Sequence, residues 1–506
     1  MLVWYEKIKT IFDASVTELY NWFLGLFLLL ITKIMQMKTL TQVAIAMSIM
    51  VLGVEVDASD YSDYYQNLPI DIAQVEMPQI PQNEVSIVDF GAKGDGVTLC
   101  TDAFAQAIEK QSSNGGGVVV VPNGMWLTGP IELKSNVELR IAKNAVVFFS
   151  PDKLLYERKK SSRCKPCISA SKQKNIAITG SGTIDGNGSQ WRPVKRSKVS
   201  DVEWKSYAKM GGKVMDNGSL WYPWDLKSGY ANIGNSPKEM SQMRNDLIRF
   251  ENCENILVQG VTVQNSPRFH VHPVWCKNFI ADGLTVRCPW NAQNGDGIDI
   301  SDVSTALIVN CTVDVGDDGI CMKSDINDVP RLNMGTRDVL IQDCVVNHAH
   351  GGFVIGSEDV TAMERIVVRD CRFSGTDTGL RFKSGIGRGG RTNNIFISNI
   401  VMTDISDEAI IFQCDYINLP AGMKREDYVV PKDAKYIPEF QDIHIDGVIC
   451  RGCETAISAS GIEGYRCVHD IDIKNSTIVY TKKSEVIDAA TAELKLTNVN
   501  LIFDRK

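Results

Sequence analysis

One short phrase returns ten times between residues 175 and 503, and nothing else in the chain constrains its fold as strongly. Examples are "NIAITGSGTIDG" (175–186), "NILVQGVTVQN" (255–265), "NFIADGLTVRC" (278–288), "ALIVNCTVDV" (306–315), "VLIQDCVVNH" (339–348) and "IVVRDCRFSG" (366–375). Each copy is a short alternating strand, a polar or glycine corner, and a second short strand. Repeats of this length with no helix between them predict a β-solenoid. Cysteines mark the register: Cys288, Cys311, Cys344 and Cys371 follow one another at 23, 33 and 27 residues. Cys311, Cys344 and Cys371, each preceded by Asn or Asp, are expected to stack as an internal ladder of buried thiols. The whole is all-β, and a right-handed parallel β-helix fits it.

Such a solenoid has two open ends that must be blocked. At the N-terminal end the spacing predicts a capping helix, with Thr101 as N-cap, Asp102 in the first turn, and Ala103, Phe104, Ala107 and Ile108 as one apolar stripe. Residues 84–506 read as a single β-helix domain interrupted at about 187–246, where the phrase disappears and four tryptophans, 191, 204, 221 and 224, occur. An insertion that long serves a purpose. It stacks sugar rings at one end of a cleft or it covers apolar solenoid surface, and both readings stay open.

Upstream of the repeats the chain reads as targeting sequence. The apolar run 22–31 is too short to span a bilayer, and a second run, 43–54, leads to Val56-Asp57-Ala58, a small-residue cleavage site before Ser59. Residues 1–58 are therefore expected to be a signal segment with an over-long start and 59–83 a linker, the protein being exported with no stable membrane association afterwards. Export permits disulfides among the 14 cysteines. The Cys164/Cys167 and Cys450/Cys453 pairs lack the surroundings of a zinc or redox motif. A net charge of −8 gives no general attraction to nucleic acid, so an anionic ligand must be met by a local basic cleft.

Four polar motifs share one phase when the repeats are aligned by their first strands: "NGDGID", "GDDGICMKS", "HAHGGFVIGSE" and "TGLRFKS". In stacked coils, residues at one phase lie about 4.8 Å apart. Asp296, Asp317, Asp318, His350, Arg381 and Lys383 are therefore expected on one face, although Asp and Asn beside Gly also serve as ordinary turn formers. Adjacent carboxylates repel, which raises the pKa of one, and a pair of this kind does chemistry more often than packing.

These motifs resemble the signature of the polygalacturonase family, glycoside hydrolase family 28, whose four motifs read Asn-Thr-Asp, Asp-Asp, Gly-His-Gly and Arg-Ile-Lys. Here they stand as Asn294-Gly295-Asp296, Asp317-Asp318, Ala349-His350-Gly351 and Arg381-Phe382-Lys383, in that order. "VDFGAKGDG" (88–96), "SGTIDGNG" (181–188) and "NSPRFHVHPVWCKN" (265–278) extend the resemblance to roughly residues 84–500. Gly295, Ala349 and Phe382 depart from the pattern without removing a functional group, although Gly295 loosens the turn that holds Asp296.

The resemblance implies inverting hydrolysis of α-1,4-linked galacturonic acid in pectin. Asp317 is then the general acid, Asp296 and Asp318 position and activate the water, and His350 either holds the acid in its working protonation state or bonds the substrate. Inversion needs an acid and a base about 6.5–9.5 Å apart. Arg381 and Lys383, with Asn294, bind the substrate, and a sugar carboxylate gives the two cations their partner. No metal or cofactor is implied, and a monomer acting on an anionic polysaccharide is expected. His270, His272 and His348 read as corner or cleft-edge residues without a catalytic role. Two rivals remain: a calcium-dependent pectate lyase on the same solenoid, against which the order of the motifs argues, and a non-catalytic carbohydrate-binding solenoid, which leaves the in-phase set unexplained.

Overall fold

The residue that opens each phrase sets the shape of each coil. Asn175, Asn255 and Asn278 all have φ between 52° and 57°, and the same left-handed conformation recurs at Thr305, Asp338, Arg365, Asn394, Asp442 and Asp470. Asn and Asp tolerate this conformation better than other residues with a Cβ. Their side chains also form a ladder between coils: Asn278 donates to Asn255 at 2.9 Å, Asn255 to Asn175 at 3.1 Å and Asn175 to Asn136 at 3.0 Å. A second left-handed corner falls at the end of the first strand, at Gly260, Gly283, Asn310, Asp343, Asp370 and Asn399. The Gly, Asn or Asp in the middle of the phrase is thus the bend of the coil.

A computed structural model describes residues 61–158, 164–215, 218–223, 243–324, 335–417 and 436–505. The chain from Tyr64 onward is one unit, a right-handed parallel β-helix. Its strands pair in parallel from coil to coil, as in Thr262–Gln264 with Thr285–Arg287 and then Thr312–Asp314. Inward positions are apolar and fully buried, for example Ile256, Phe279, Ala306, Val339 and Ile366. The expected signal segment lies outside the described residues, among which no helix is long and apolar enough to cross a membrane.

All 14 cysteines are buried and unpaired. Cys311, Cys344 and Cys371 stack as expected, because Thr312, Val345 and Arg372 are register partners. Cys288 does not belong to that ladder: its N–H donates to Asp314 O, and it is Leu284 that precedes the Thr285–Thr312 pair. A second ladder joins Cys253, whose N–H donates to Cys276 Sγ at 3.4 Å.

The helix spans Thr101–Ser113 and buries Ala103, Phe104, Ala107 and Ile108, the stripe that the sequence predicts. Its N-cap is Cys100, without a side-chain cap bond, and not Thr101. The Thr101 hydroxyl instead accepts the Gly129 N–H at 2.6 Å, tying the helix to the coil beneath. The stretch before residue 84, read as linker, runs against the solenoid from Tyr64 on. Arg369 donates to Tyr64 O at 2.9 Å, Asn310 donates to the Tyr64 hydroxyl at 3.0 Å, and Gln79 N–H reaches Asn175 Oδ1 at 3.4 Å.

The insertion carries a small antiparallel sheet of Val194–Lys195, Lys213–Met215 and Leu220–Tyr222, and a helix, Asp201–Lys209, opened by a Ser200/Glu203 capping box. Trp191 is fully buried, edge-on to Tyr156, and Trp221 is buried beside Tyr207. Trp204 lies under Arg196, and Trp224 is outside the described residues. Trp191 and Trp221 therefore follow the covering role and not the sugar-stacking one.

Candidate active site

Four successive strands carry the motifs. Ile298–Ser301 pairs with Asp318–Ser324, that strand with Gly351–Asp359, and that in turn with Thr378–Lys383. Ile298 lies beside Ile320 and Asp318 beside Gly351, so Asp296 falls level with Asp318, and His350 falls level with Asp317. Val354 and Arg381 are partners one coil further on. The shared phase inferred from the repeats is therefore the register of the sheet.

The three carboxylates sit in different surroundings. Asp317 is the most accessible, with 14% of its side chain exposed against 4% for Asp296 and for Asp318. Its Oδ1 is 3.0 Å from His350 Nδ1 and accepts the Asp318 N–H at 3.2 Å, while Oδ2 accepts the Asn294 N–H at 3.2 Å. Burial raises its proton affinity, but the His350 bond and the charges of His350, Lys383 and Lys198 outweigh it and hold the carboxyl below the ordinary range. Asp318 is also lowered: burial and Asp317 act upward, Lys383 and Arg381 downward. Lys383 Nζ is 2.7 Å from Asp318 Oδ2, and Arg381 is 3.7 Å from Oδ1.

Asp296 behaves in the opposite way. Burial and the neighbouring Asp299 push its carboxyl well above the ordinary range, with Asp317 and Asp318 adding to the shift and Lys323 opposing it. Burial likewise takes Asp299 up to about 7 against the pull of Lys323. The two meet at Lys323, whose Nζ is 3.2 Å from Asp296 Oδ2, 3.0 Å from Asp299 Oδ2 and 4.2 Å from the centre of the Phe269 ring. Among the described residues neither Asp296 Oδ1 nor Asp318 Oδ1 has a hydrogen-bond partner. Asp296 Oδ1 and Asp318 Oδ1, the latter 3.7 Å from Arg381, are thus two buried oxygens on adjacent coils with hydrogen-bonding capacity for a water molecule.

Asn294 is held from the insertion side. Arg244 donates to Asn294 Oδ1 and to Gln293 O, both at 2.8 Å. A Cβ at Gly295 would lie 3.0 Å from Ala292 Cβ and 3.3 Å from Cys288 Sγ, so a side chain there would require its neighbours to give by a few tenths of an ångström. Phe382 points inward, stacked on Phe412 with ring centres 4.5 Å apart, and leaves Arg381 and Lys383 facing outward.

Sequence reasoning missed Asp299, Lys323, Lys198 and Arg244. Strand alternation carried a signal for the first two, since Asp299 and Lys323 are the outward positions of "GIDIS" and "ICMKS". His270 and His272 are buried and do not line a cleft edge. His270 Nδ1 lies 2.8 Å from Asp296 O, and its Nε2 accepts the Ser266 N–H at 3.2 Å, which fixes the tautomer. Burial takes its pKa down to about 4, so a neutral imidazole braces the backbone of Asp296. His272 lies 2.9 Å from Asp246 Oδ2 and 3.1 Å from Ser301 Oγ.

One atom each of Asp317, Asp318 and His350 lies within 4.8 Å of the others, a spacing that suits a cation. Lys383 and Arg381 already stand on Asp318, and Lys198 Nζ is 3.3 Å from His350 Nε2. A divalent ion placed there would face three fixed positive charges.

Comparison with known proteins finds relatives along most of the chain. The family model described as "Glycosyl hydrolases family 28" matches residues 196–498, and a second, "Rhamnogalacturonase A/epimerase, pectate lyase-like", matches residues 84–140. A probable polygalacturonase of Vitis vinifera is 29% identical over 63% of this chain and 61% of its own length. An exo-poly-alpha-D-galacturonosidase of Dickeya chrysanthemi is 25% identical over 82% of this chain and 71% of its own. Among solved structures, a hyperthermoactive exopolygalacturonase of Thermotoga maritima is similar with a TM-score of 0.68 and 30% identity, covering 85% of this chain and 94% of that one.

Proposed function

The chain belongs to glycosyl hydrolases family 28, and from that membership we propose that it hydrolyses the α-1,4 bond between galacturonic acid residues of pectin or polygalacturonate, with inversion at the anomeric carbon. The observation that carries this reading is an acidic centre set among cations: Asp296, Asp317 and Asp318 within reach of Lys323, Lys383, Arg381 and Lys198. Fixed positive charge of this kind suits a polymer that carries a carboxylate on every ring. Asp317, the carboxyl nearest solvent, donates its proton to the leaving oxygen. Asp296 and Asp318 orient the water through their Oδ1 atoms. A polymer of this size is met outside the cell, which fits an exported protein.

In the free site burial and Asp299 favour a proton on Asp296, whereas the His350 bond and the charges of Lys383 and Lys198 disfavour one on Asp317. The cations that hold Asp317 ionised are those a uronate would neutralise on binding, so the substrate itself raises the proton affinity of the acid. The sign can be measured. A general acid is lost as pH rises through its pKa; that pKa is low in the free protein and higher in the complex. The alkaline limb of kcat/KM is therefore expected at lower pH than that of kcat. Coincident limbs would remove the substrate-driven shift.

The direct test is incubation of purified protein with polygalacturonate, with product sizing and ultraviolet absorbance. New reducing ends without a conjugated double bond are expected. An unsaturated product, or activity that requires added Ca²⁺, would favour the lyase, and no cleavage would favour a binding protein.

Substrate charge gives a second test. Arg381→Ala is expected to cost about 2–3 kcal/mol in kcat/KM on polygalacturonate and less on methyl-esterified pectin, because the ester has no carboxylate to read. Lys383→Ala also strands the buried Asp318, to which it bonds at 2.7 Å, so it should lose activity on both substrates. Equal losses for Arg381→Ala on acid and ester would show that it does not read the carboxylate.

A further inference from the structure

Beside His350, away from Asp318, the corners of successive coils and the insertion enclose a pocket of about 230 Å³ lined by Lys198, Trp290, Gly316, His350 and Asp377 among others. Its walls are held in place by the sheet: Val315 N–H donates to His348 O at 2.9 Å, and Asp377 N–H donates to Ala349 O at 2.8 Å. Trp290 is 63% exposed, whereas Trp191 and Trp221 are buried. Lys198 Nζ lies 3.4 Å from Gly316 O and 3.3 Å from His350 Nε2. An ammonium group has three donors; Gly316 O takes one and His350 Nε2 takes a second only when that nitrogen is unprotonated, so at least one remains for a further acceptor.

We propose that this pocket binds one additional acidic pyranose ring of the substrate, with the carboxylate on Lys198, a ring face against Trp290 and a hydroxyl donating to Asp377. The proposal rests on the reading of the site as a uronate hydrolase and extends it. The volume falls below the roughly 300–1,000 Å³ of pockets for larger ligands, which suits a single ring. The exposed indole offers a flat apolar face with a polar edge. Lys198 comes from the insertion and meets His350 across 152 residues of sequence, so the insertion takes part in choosing substrate. The ring belongs either to the main chain of the polymer or to an acidic branch.

Kinetics of the full chain test this directly. Lys198→Ala is expected to raise KM on polygalacturonate about 10-fold or more, with a smaller rise on methyl-esterified pectin. Trp290→Ala should raise KM on both, and Trp290→Phe should recover most of the loss. A fall in kcat that is equal on acid and ester, with KM unchanged, would mean that Lys198 acts only through His350 and would overturn the proposal. Loss of fold is checked by circular dichroism.

Binding separates the two sources of the ring. Oligogalacturonides titrated into Asp317→Asn protein, followed by tryptophan fluorescence, should bind more weakly once Lys198→Ala is added. Weakening with linear oligomers assigns a main-chain ring, and weakening only with branched acidic oligosaccharides assigns a branch. No weakening with either overturns the site. Failure of the underlying reading is seen separately, as unmodified protein that does not cut polygalacturonate at all, and it would remove both.

Discussion

Asp317→Asn is expected to leave the solenoid folded and to reduce turnover of polygalacturonate by roughly 10²–10⁴-fold. The amide keeps the size of the carboxylate and one oxygen to accept from Asp318 N–H, but it cannot deliver a proton to a leaving oxygen. Its cost to the fold is bounded by the bonds it disturbs. Asp317 Oδ2 accepts the Asn294 N–H at 3.2 Å, and turning that atom into a donor sets two donors face to face. For one bond at a partly accessible side chain the loss is on the order of 1 kcal/mol, too little to unfold a domain of this size. A turn-only role predicts the reverse, because Asn forms such turns as readily as Asp. Turnover measured beside circular dichroism and thermal unfolding distinguishes the two. A folded variant with near wild-type turnover would remove Asp317 as the acid.

The features legible in the sequence were those that repeat. Left-handed backbone favours the Asn or Asp that opens most phrases, with Thr305 and Arg365 as exceptions, and the Gly, Asn or Asp at the middle, and aligning these brings Asp296, Asp317, Asp318, His350, Arg381 and Lys383 to one face. Cys288 misled because cysteine fits more than one inward phase, and only the pairing of Thr285 with Thr312 shows that it lies past the ladder. Thr101 misled because a hydroxyl at a helix start has two uses, capping its own helix or bonding a neighbour such as Gly129.

Contacts that cross from outside the repeat were not legible. Lys198 has no phase relation to His350, and Arg244 reaches Asn294 from the far end of the same insertion. Asp299 and Lys323 were masked differently: Asp299 lies between the core residues Ile298 and Ile300 and Lys323 follows the core residue Met322 near a strand end, and a charge at such an outward position reads as a solvated edge. In the folded protein both are buried, and as charges they offset each other, with Asp296 as a second partner of Lys323.

Lys323→Met is therefore expected to destabilise the protein by about 3–5 kcal/mol at pH 8 and by much less at pH 5. Methionine replaces the stem of the lysine but not its charge, leaving Asp296 and Asp299 without the cation that lies 3.2 and 3.0 Å from them. Both carboxyls already bind protons above the ordinary aspartate range, Asp299 up to about 7, and loss of the cation moves them further in the same direction. A group with a raised folded-state pKa contributes most below its unfolded value and loses that contribution as pH climbs towards the folded one. At pH 5 the two acids stay protonated and neutral, so the variant tolerates them. At pH 8 they must ionise without a partner or hold their protons at a cost. A pH-independent loss in thermal unfolding would mean that Lys323 contributes only packing. Activity should follow a different course: Lys323 is the group that lowers the proton affinity of Asp296, so without it Asp296 gives up its proton less readily in the catalytic cycle, and turnover should fall even at pH 5, where the fold is retained. Full turnover at pH 5 would place Asp296 outside the machinery that activates the water.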